Sequence, residues 1–318
     1  MRRGPFFAAE PAVDLSVDLG ALQLPAPVVA ASGTFGHADE VARLGDPARL
    51  GAVTAKSVSV EPWAGKPAPR LHLTASGMMN AVGLQGPGVD AWVDHDLPAL
   101  RATGARVIAS IWGTSVDDYA RAAEGLRRAR GDLVALEVNV SCPNVHARDE
   151  MFAHDAEATR AVTSAVAACD LGLPLFVKLS PNVTDLVAIA RAALDGGADG
   201  LTLVNTVMAL GIDAETRRPV LGGGGGGLSG PAIKPIALRA VHDVTRALPG
   251  VPVIGTGGIR TGVDAAEMLL AGARAVGVGT ATFLDPRAPY HILDELRAWC
   301  AARGVTRVAE LTGALEEP

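Results

Sequence analysis

The chain has 318 residues, 49% of them hydrophobic but only 4% aromatic, so it can bury a large core built mainly from aliphatic side chains. Its 34 acidic and 28 basic residues give a formal net charge of −6, and no basic block stands out, which speaks against nucleic acid as a partner. No run of about 18 apolar residues predicts a membrane span, and the N-terminal Met-Arg-Arg-Gly-Pro-Phe-Phe lacks the apolar core of a signal peptide.

Residues 14–24 read as a hairpin ahead of the main body. Eight short apolar runs follow: Pro27–Ala31, Ala52–Lys56, Arg106–Ile111, Leu133–Asn139, Leu175–Leu179, Gly200–Asn205, Val251–Gly255 and Ala275–Gly279. Helical patterns fill most of the gaps, over Val116–Arg130, Asp155–Ala168, Asp185–Leu194, Ile233–Leu248, Val263–Ala271 and Pro289–Arg303. Eight strands with interleaved helices predict one (β/α)₈ barrel, a TIM barrel, formed by residues 1–318 as a single domain. The rival is a doubly wound open sheet, but that fold places its glycine fingerprint after the first strand. Here the glycines cluster after the sixth and later runs. Two long insertions, 57–100 and 207–230, are expected to be loops over the C-terminal face.

The polar ends of the runs carry the chemistry. Lys56, Asn139, Lys178 and Asn205 end the second, fourth, fifth and sixth runs, and a barrel gathers such positions at one mouth. Any one of these lysines alone would read as a surface cation, but four polar strand ends together read as a site. Cys142 lies in Asn139-Val-Ser-Cys-Pro-Asn144, a polar loop beyond a strand, where a thiol can serve as nucleophile or base. His146 is close enough in sequence to assist. Cys169 and Cys300 fall on helical patterns and suit structural roles. Three scattered cysteines cannot form a disulfide framework, a cysteine zinc site or an iron–sulfur cluster held by this chain alone, and a reducing cytoplasm is the expected location. No His/Asp/Glu cluster has metal-ligand spacing.

Two glycine loops, Ile254-Gly-Thr-Gly-Gly-Ile-Arg260 and Val278-Gly-Thr-Ala-Thr282, each leave a strand and enter a helix, the arrangement that offers backbone N–H groups to a phosphate. The Gly222–Gly227 run matches a nucleotide fingerprint only trivially, follows no clear strand and reads as a mobile loop.

Taken together these segments resemble the class 1 dihydroorotate dehydrogenases over nearly the whole chain. The resemblance is carried by Ala31-Ser-Gly-Thr-Phe-Gly36, Ala55-Lys-Ser57, Asn80-Ala-Val-Gly-Leu-Gln85, Asn139-Val-Ser-Cys-Pro-Asn144 and Val177-Lys-Leu-Ser-Pro-Asn182. It continues through Asn205-Thr206, Gly227-Leu-Ser-Gly-Pro-Ala-Ile-Lys-Pro235, Gly255-Thr-Gly-Gly258 and Gly279-Thr280. It implies an FMN cofactor whose phosphate rests on Gly257, Gly258, Gly279 and Thr280, with Ser32, Gly33, Lys56, Ser57, Asn139 and Gly230 also lining its site. It puts Lys178 against the flavin N1/O2 edge as a fixed cation. It implies dihydroorotate or orotate held by Lys56, Asn80, Gly83, Leu84, Asn139, Asn144, Asn205 and Thr206. In that family Cys142 would be the base that removes the C5 proton while the C6 hydride passes to the flavin.

The segments Ala31-Ser-Gly-Thr-Phe-Gly36, Gly83-Leu-Gln85 and Met151-Phe-Ala-His-Asp155 look like the NAD-linked subclass. That subclass implies a catalytic homodimer joined by a second subunit carrying FAD and a 2Fe-2S cluster, as a heterotetramer. Gly86, where the subclass usually has asparagine, and the polyglycine run depart from its pattern. The electron acceptor, NAD through a partner or fumarate, stays open at this point. Two other readings compete: a dihydropyrimidine dehydrogenase-type enzyme and a catalytically silent barrel subunit.

Overall fold

The computed structural model describes residues 13–141 and 151–316. Eight parallel strands form a closed barrel: β1 (Val28–Ala30), β2 (Ala52–Thr54), β3 (Val107–Ile111), β4 (Ala135–Asn139), β5 (Leu175–Leu179), β6 (Gly200–Leu203), β7 (Val253–Thr256) and β8 (Ala275–Val278). Each pairs with the next in sequence, and β8 closes back on β1 through Val276 beside Val28. Among the described residues, seven α-helices of six residues or more are interleaved with them: α1 (Leu97–Ala102), α2 (Val116–Gly125), α3 (Ala156–Ala167), α4 (Leu186–Asp195), α5 (Lys234–Ala247), α6 (Gly262–Leu270) and α7 (Ala288–Ala302). The β1–β2 connection carries only short 3-10 turns, at Ala42–Leu44 and Pro47–Arg49.

Local sequence explains where the helices begin. Ser115 and Asp118 form a reciprocal capping box at α2, and Thr261 and Asp264 form another at α6. Asp155 and Asp185 cap α3 and α4 through the backbone N–H groups of Ala158 and Ala188. All five residues of β3, β4 and β5 are buried, because the barrel interior covers one face and the helices cover the other.

The N-terminal hairpin pairs Val17–Asp18 with Gln23–Leu24 and closes the bottom of the barrel. Leu15, Val17, Leu19, Leu22 and Leu24 are buried there, and Gly20 packs against Pro252 just before β7.

The two insertions differ from expectation, since neither is a structureless loop. Leu71–Thr74, Gly77–Asn80, Gly226–Ser229 and Val207–Ala209 form one antiparallel sheet of four strands. The Gly222–Gly227 run is likewise bonded into the structure: Gly222 N–H donates to Pro69 O at 2.8 Å, and Gly226 and Gly227 belong to a paired strand. Glycine is needed there by close approach. A Cβ on Gly227 would sit 2.0 Å from Thr206 Oγ1, and one on Gly226 would sit 2.3 Å from Asn80 O. A glycine-rich strand has no side chains to show alternation, so composition alone reads it as loop. Among the described residues, no helix is long and apolar enough to cross a membrane.

Candidate active site

The C-terminal ends of the barrel strands open into a cavity of about 810 Å³, roofed by the antiparallel sheet and of the size that holds a cofactor with its substrate. Lys56, Asn139, Lys178 and Asn205 all line it, from the ends of β2, β4, β5 and β6. Ser32, Gly33 and Ser57 join them from the β1 and β2 ends. Asn80, Gly83 and Leu84 come from the first insertion, Thr206 lies just before the second, and Gly230 ends it. Gly257, Gly258, Gly279 and Thr280 lie on the far wall, after β7 and β8. Cys142 and Asn144 lie outside the described residues, as does His146.

Asparagines are fixed here rather than merely present. Asn139 Nδ2 donates to Ser57 Oγ at 3.1 Å, while its Oδ1 accepts from Ser141 N at 3.2 Å and Ser141 Oγ at 3.0 Å. Asn205 Nδ2 donates to Ser141 O and Ser141 Oγ, both at 3.0 Å, and its Oδ1 accepts the Thr206 N–H at 2.8 Å. Asn80 Nδ2 lies 3.4 Å from Gly227 O, which ties the roof together above the strand ends. Tyr119 reaches back from α2 to donate its hydroxyl to Asn139 O at 2.9 Å. Each side chain therefore presents one settled face to the cavity.

Lys178 is the electrostatic feature. It is 6% exposed, lines the cavity, and makes no hydrogen bond or ion pair with the described residues. A cation so removed from water needs an electron-rich partner, and the cavity is where one fits. Gly258 supports a cofactor wall on that far side. Its φ of +76° is the left-handed region, and a Cβ would fall 2.8 Å from both N and Cα of Lys234 at the start of α5. Only glycine lets this loop lie flat on that helix, leaving its other side to the cavity. Lys234 is itself pinned by Asp264 and Glu267, each 2.6 Å away.

Two residues behind the cavity lining are missing from the sequence reading. Glu137 is a buried carboxylate one layer below Asn139, accepting from Ser110 Oγ at 3.1 Å and Thr202 Oγ1 at 3.0 Å. Its signal is the alternation Glu137-Val-Asn139, which puts both polar side chains on the inner face of β4. His37 is another. Its Nε2 is buried with no partner among the described residues, and Trp92 Nε1 donates to its carbonyl at 2.9 Å. A Cβ at Gly86 would meet that Nε2 at 3.5 Å, an ordinary contact, so a close approach at the β-carbon does not force glycine there.

Burial, with the Lys56 cation second, pushes the His37 imidazole below its ordinary range, against weaker pulls from Asp96 and Glu40. The folded protein then binds fewer protons than the unfolded chain. Stability is expected to fall as pH drops through about 6.5, the unfolded value, toward the lowered folded value. Melting temperatures of the parent and of His37→Gln from about pH 7.5 to pH 5.5 check this; the variant should lose less over that window. Parallel curves would show that His37 does not set the slope.

A profile of the family described as Dihydroorotate dehydrogenase matches residues 14–299. The chain is similar to the protein named "Dihydroorotate dehydrogenase B (NAD(+)), catalytic subunit" of Geobacter sulfurreducens, with 46% identity over 95% of this chain and 98% of that one. Proteins of the same name from Alkaliphilus metalliredigens and Geotalea uraniireducens are 45% and 47% identical, over 95% of this chain and 99% and 98% of theirs. On the profile and these identities, the chain belongs to the dihydroorotate dehydrogenase family.

Proposed function

We propose that this chain is the FMN-binding catalytic subunit of an NAD-linked dihydroorotate dehydrogenase, oxidising dihydroorotate to orotate in pyrimidine synthesis in the cytoplasm. The observation that carries the reading is the single cavity into which two lysines, three asparagines and two glycine loops converge from separate elements. The relatives' names support the reaction and the need for a partner.

FMN, when bound, would supply the hydride acceptor. Gly257, Gly258, Gly279 and Thr280 would hold its phosphate end, with Ser32, Gly33, Ser57 and Gly230 along its length and Lys178 at the polar edge of its ring. Lys56, Asn80, Asn139, Asn144, Asn205 and Thr206 would hold the substrate, with Gly83 and Leu84 against it. An asparagine amide offers a donor and an acceptor together, which matches the alternating C=O and N–H groups of a pyrimidine ring. The roofing sheet excludes water from the reacting centre. Cys142 would take the C5 proton.

Electrons must then leave the site. The three cysteines cannot ligate an iron–sulfur cluster within this chain. Leu73 and Leu284, 71% and 67% exposed at the cavity rim, are the apolar kind of surface that a second subunit covers. The reading is a catalytic homodimer that joins a subunit carrying FAD and a 2Fe-2S cluster in a heterotetramer. The purified single chain is expected to oxidise dihydroorotate with an artificial dye but to leave NAD unreduced. Brisk NAD reduction without a partner would refute the two-subunit reading, and fumarate turnover would move the chain to the other subclass.

A further inference from the structure

We infer that Glu137 is a positioning residue: buried beneath the cavity floor, it sets the direction of a hydrogen-bond chain through Ser110 and Ser57 that keeps Ser57 an acceptor for the Asn139 amide. The inference rests on the reading above that Asn139 holds the substrate ring.

The direction follows from counting protons. Ser110 Oγ and Thr202 Oγ1 each donate to one oxygen of the Glu137 side chain. Ser110 has one hydroxyl proton, now committed, and must therefore accept in its 2.8 Å contact with Ser57. Ser57 has then spent its own proton on Ser110, so it accepts from Asn139 Nδ2 at 3.1 Å. Ser32 is compatible, because its hydroxyl donates to Ala55 O at 2.8 Å. On its other side the Asn139 Oδ1 faces Ser141, which donates to it from both the backbone N and Oγ. Ser141 Oγ, its proton committed, accepts from Asn205 Nδ2 at 3.0 Å. One arrow therefore runs from Asn205 through Ser141, Asn139, Ser57 and Ser110 to Glu137.

Without a terminal acceptor the arrow loses its bias. Ser110 could donate to Ser57 instead and Ser57 could donate onward, so Asn139 Nδ2, still held toward Ser57 by the Ser141 N–H on its Oδ1, would lose its settled acceptor. Ser110, Glu137 and Thr202 are all buried, where water does not readily substitute and polarised chains reinforce one another.

Orotate binding to the flavin-loaded enzyme, measured by calorimetry, tests this. Glu137→Leu and Ser110→Ala are each expected to weaken orotate about 10-fold, the worth of one well-aligned hydrogen bond. Glu137→Gln should restore affinity to within about threefold of the parent, because its amide oxygen can still accept from Ser110 while the NH₂ turns to Thr202. The double variant Ser110→Ala with Glu137→Leu should be no worse than either single, since both cut one chain. Parental affinity in Glu137→Leu, or additive losses in the double variant, would overturn the inference. If Glu137→Leu does not fold, Ser110→Ala alone decides: unchanged affinity there overturns it. A parent enzyme that binds no orotate at all would refute the substrate reading instead.

Discussion

Replacing Cys142 with Ala is expected to leave FMN bound and the melting temperature close to the parent, while slowing flavin reduction by dihydroorotate about 10²-fold or more, the usual worth of a positioned base. The residue before it, Ser141, is fully buried and bonded to both Asn139 and Asn205, so Cys142 follows directly in sequence on the residue that ties the two strand-end asparagines together. An unperturbed cysteine thiol titrates at about 8.5 and can reach its basic form near neutral pH, whereas a serine hydroxyl cannot. Cys142→Ser should therefore recover little activity at neutral pH and gain on raising it. Stopped-flow reduction under anaerobic conditions reads these rates. An Ala variant that reduced its flavin at the parental rate would remove Cys142 from the base role.

Lys178→Ala is expected to do a different kind of damage. In the parent, a nearly buried cation faces the cavity without a partner among the described residues. Removing it takes away the fixed positive charge that favours an electron-rich ring, a loss of about 2.7–4 kcal/mol if it resembles the removal of one preorganised donor. For a two-electron couple that corresponds to a potential lower by roughly 60–85 mV. The variant should also release FMN more readily on dilution. Lys178→Met, which keeps length without charge, should match Ala in potential but retain more flavin, separating charge from packing. Unchanged potentials in both variants would contradict the placement of Lys178 beside the ring.

The barrel was legible because its strands are short aliphatic runs buried on both faces. All eight expected runs overlap the observed strands, and β5 agrees residue for residue at Leu175–Leu179. The helix starts expected at Val116 and Asp185 fall within one residue of the observed ones, Val116 and Leu186, where Ser115 and Asp185 serve as caps. The roof was not legible as a sheet. Its central pairing joins Asn80 to Gly227, 147 residues apart, and nothing local in a glycine run or in Leu71-His-Leu-Thr74 announces that register. The polar strand ends were legible as a set because a barrel brings them together by topology. Glu137 was not, because its partner Thr202 lies 65 residues away and its role appears only when donors are counted across three strands.

Anaerobic titration of the purified, flavin-loaded protein with dihydroorotate and, in parallel, with dihydrouracil bears on the proposed reaction without any partner subunit. The protein should be yellow, should bleach with dihydroorotate, and should hold its colour with dihydrouracil. A colourless protein that takes up no FMN, or one that bleaches with dihydrouracil and not with dihydroorotate, would contradict the assignment.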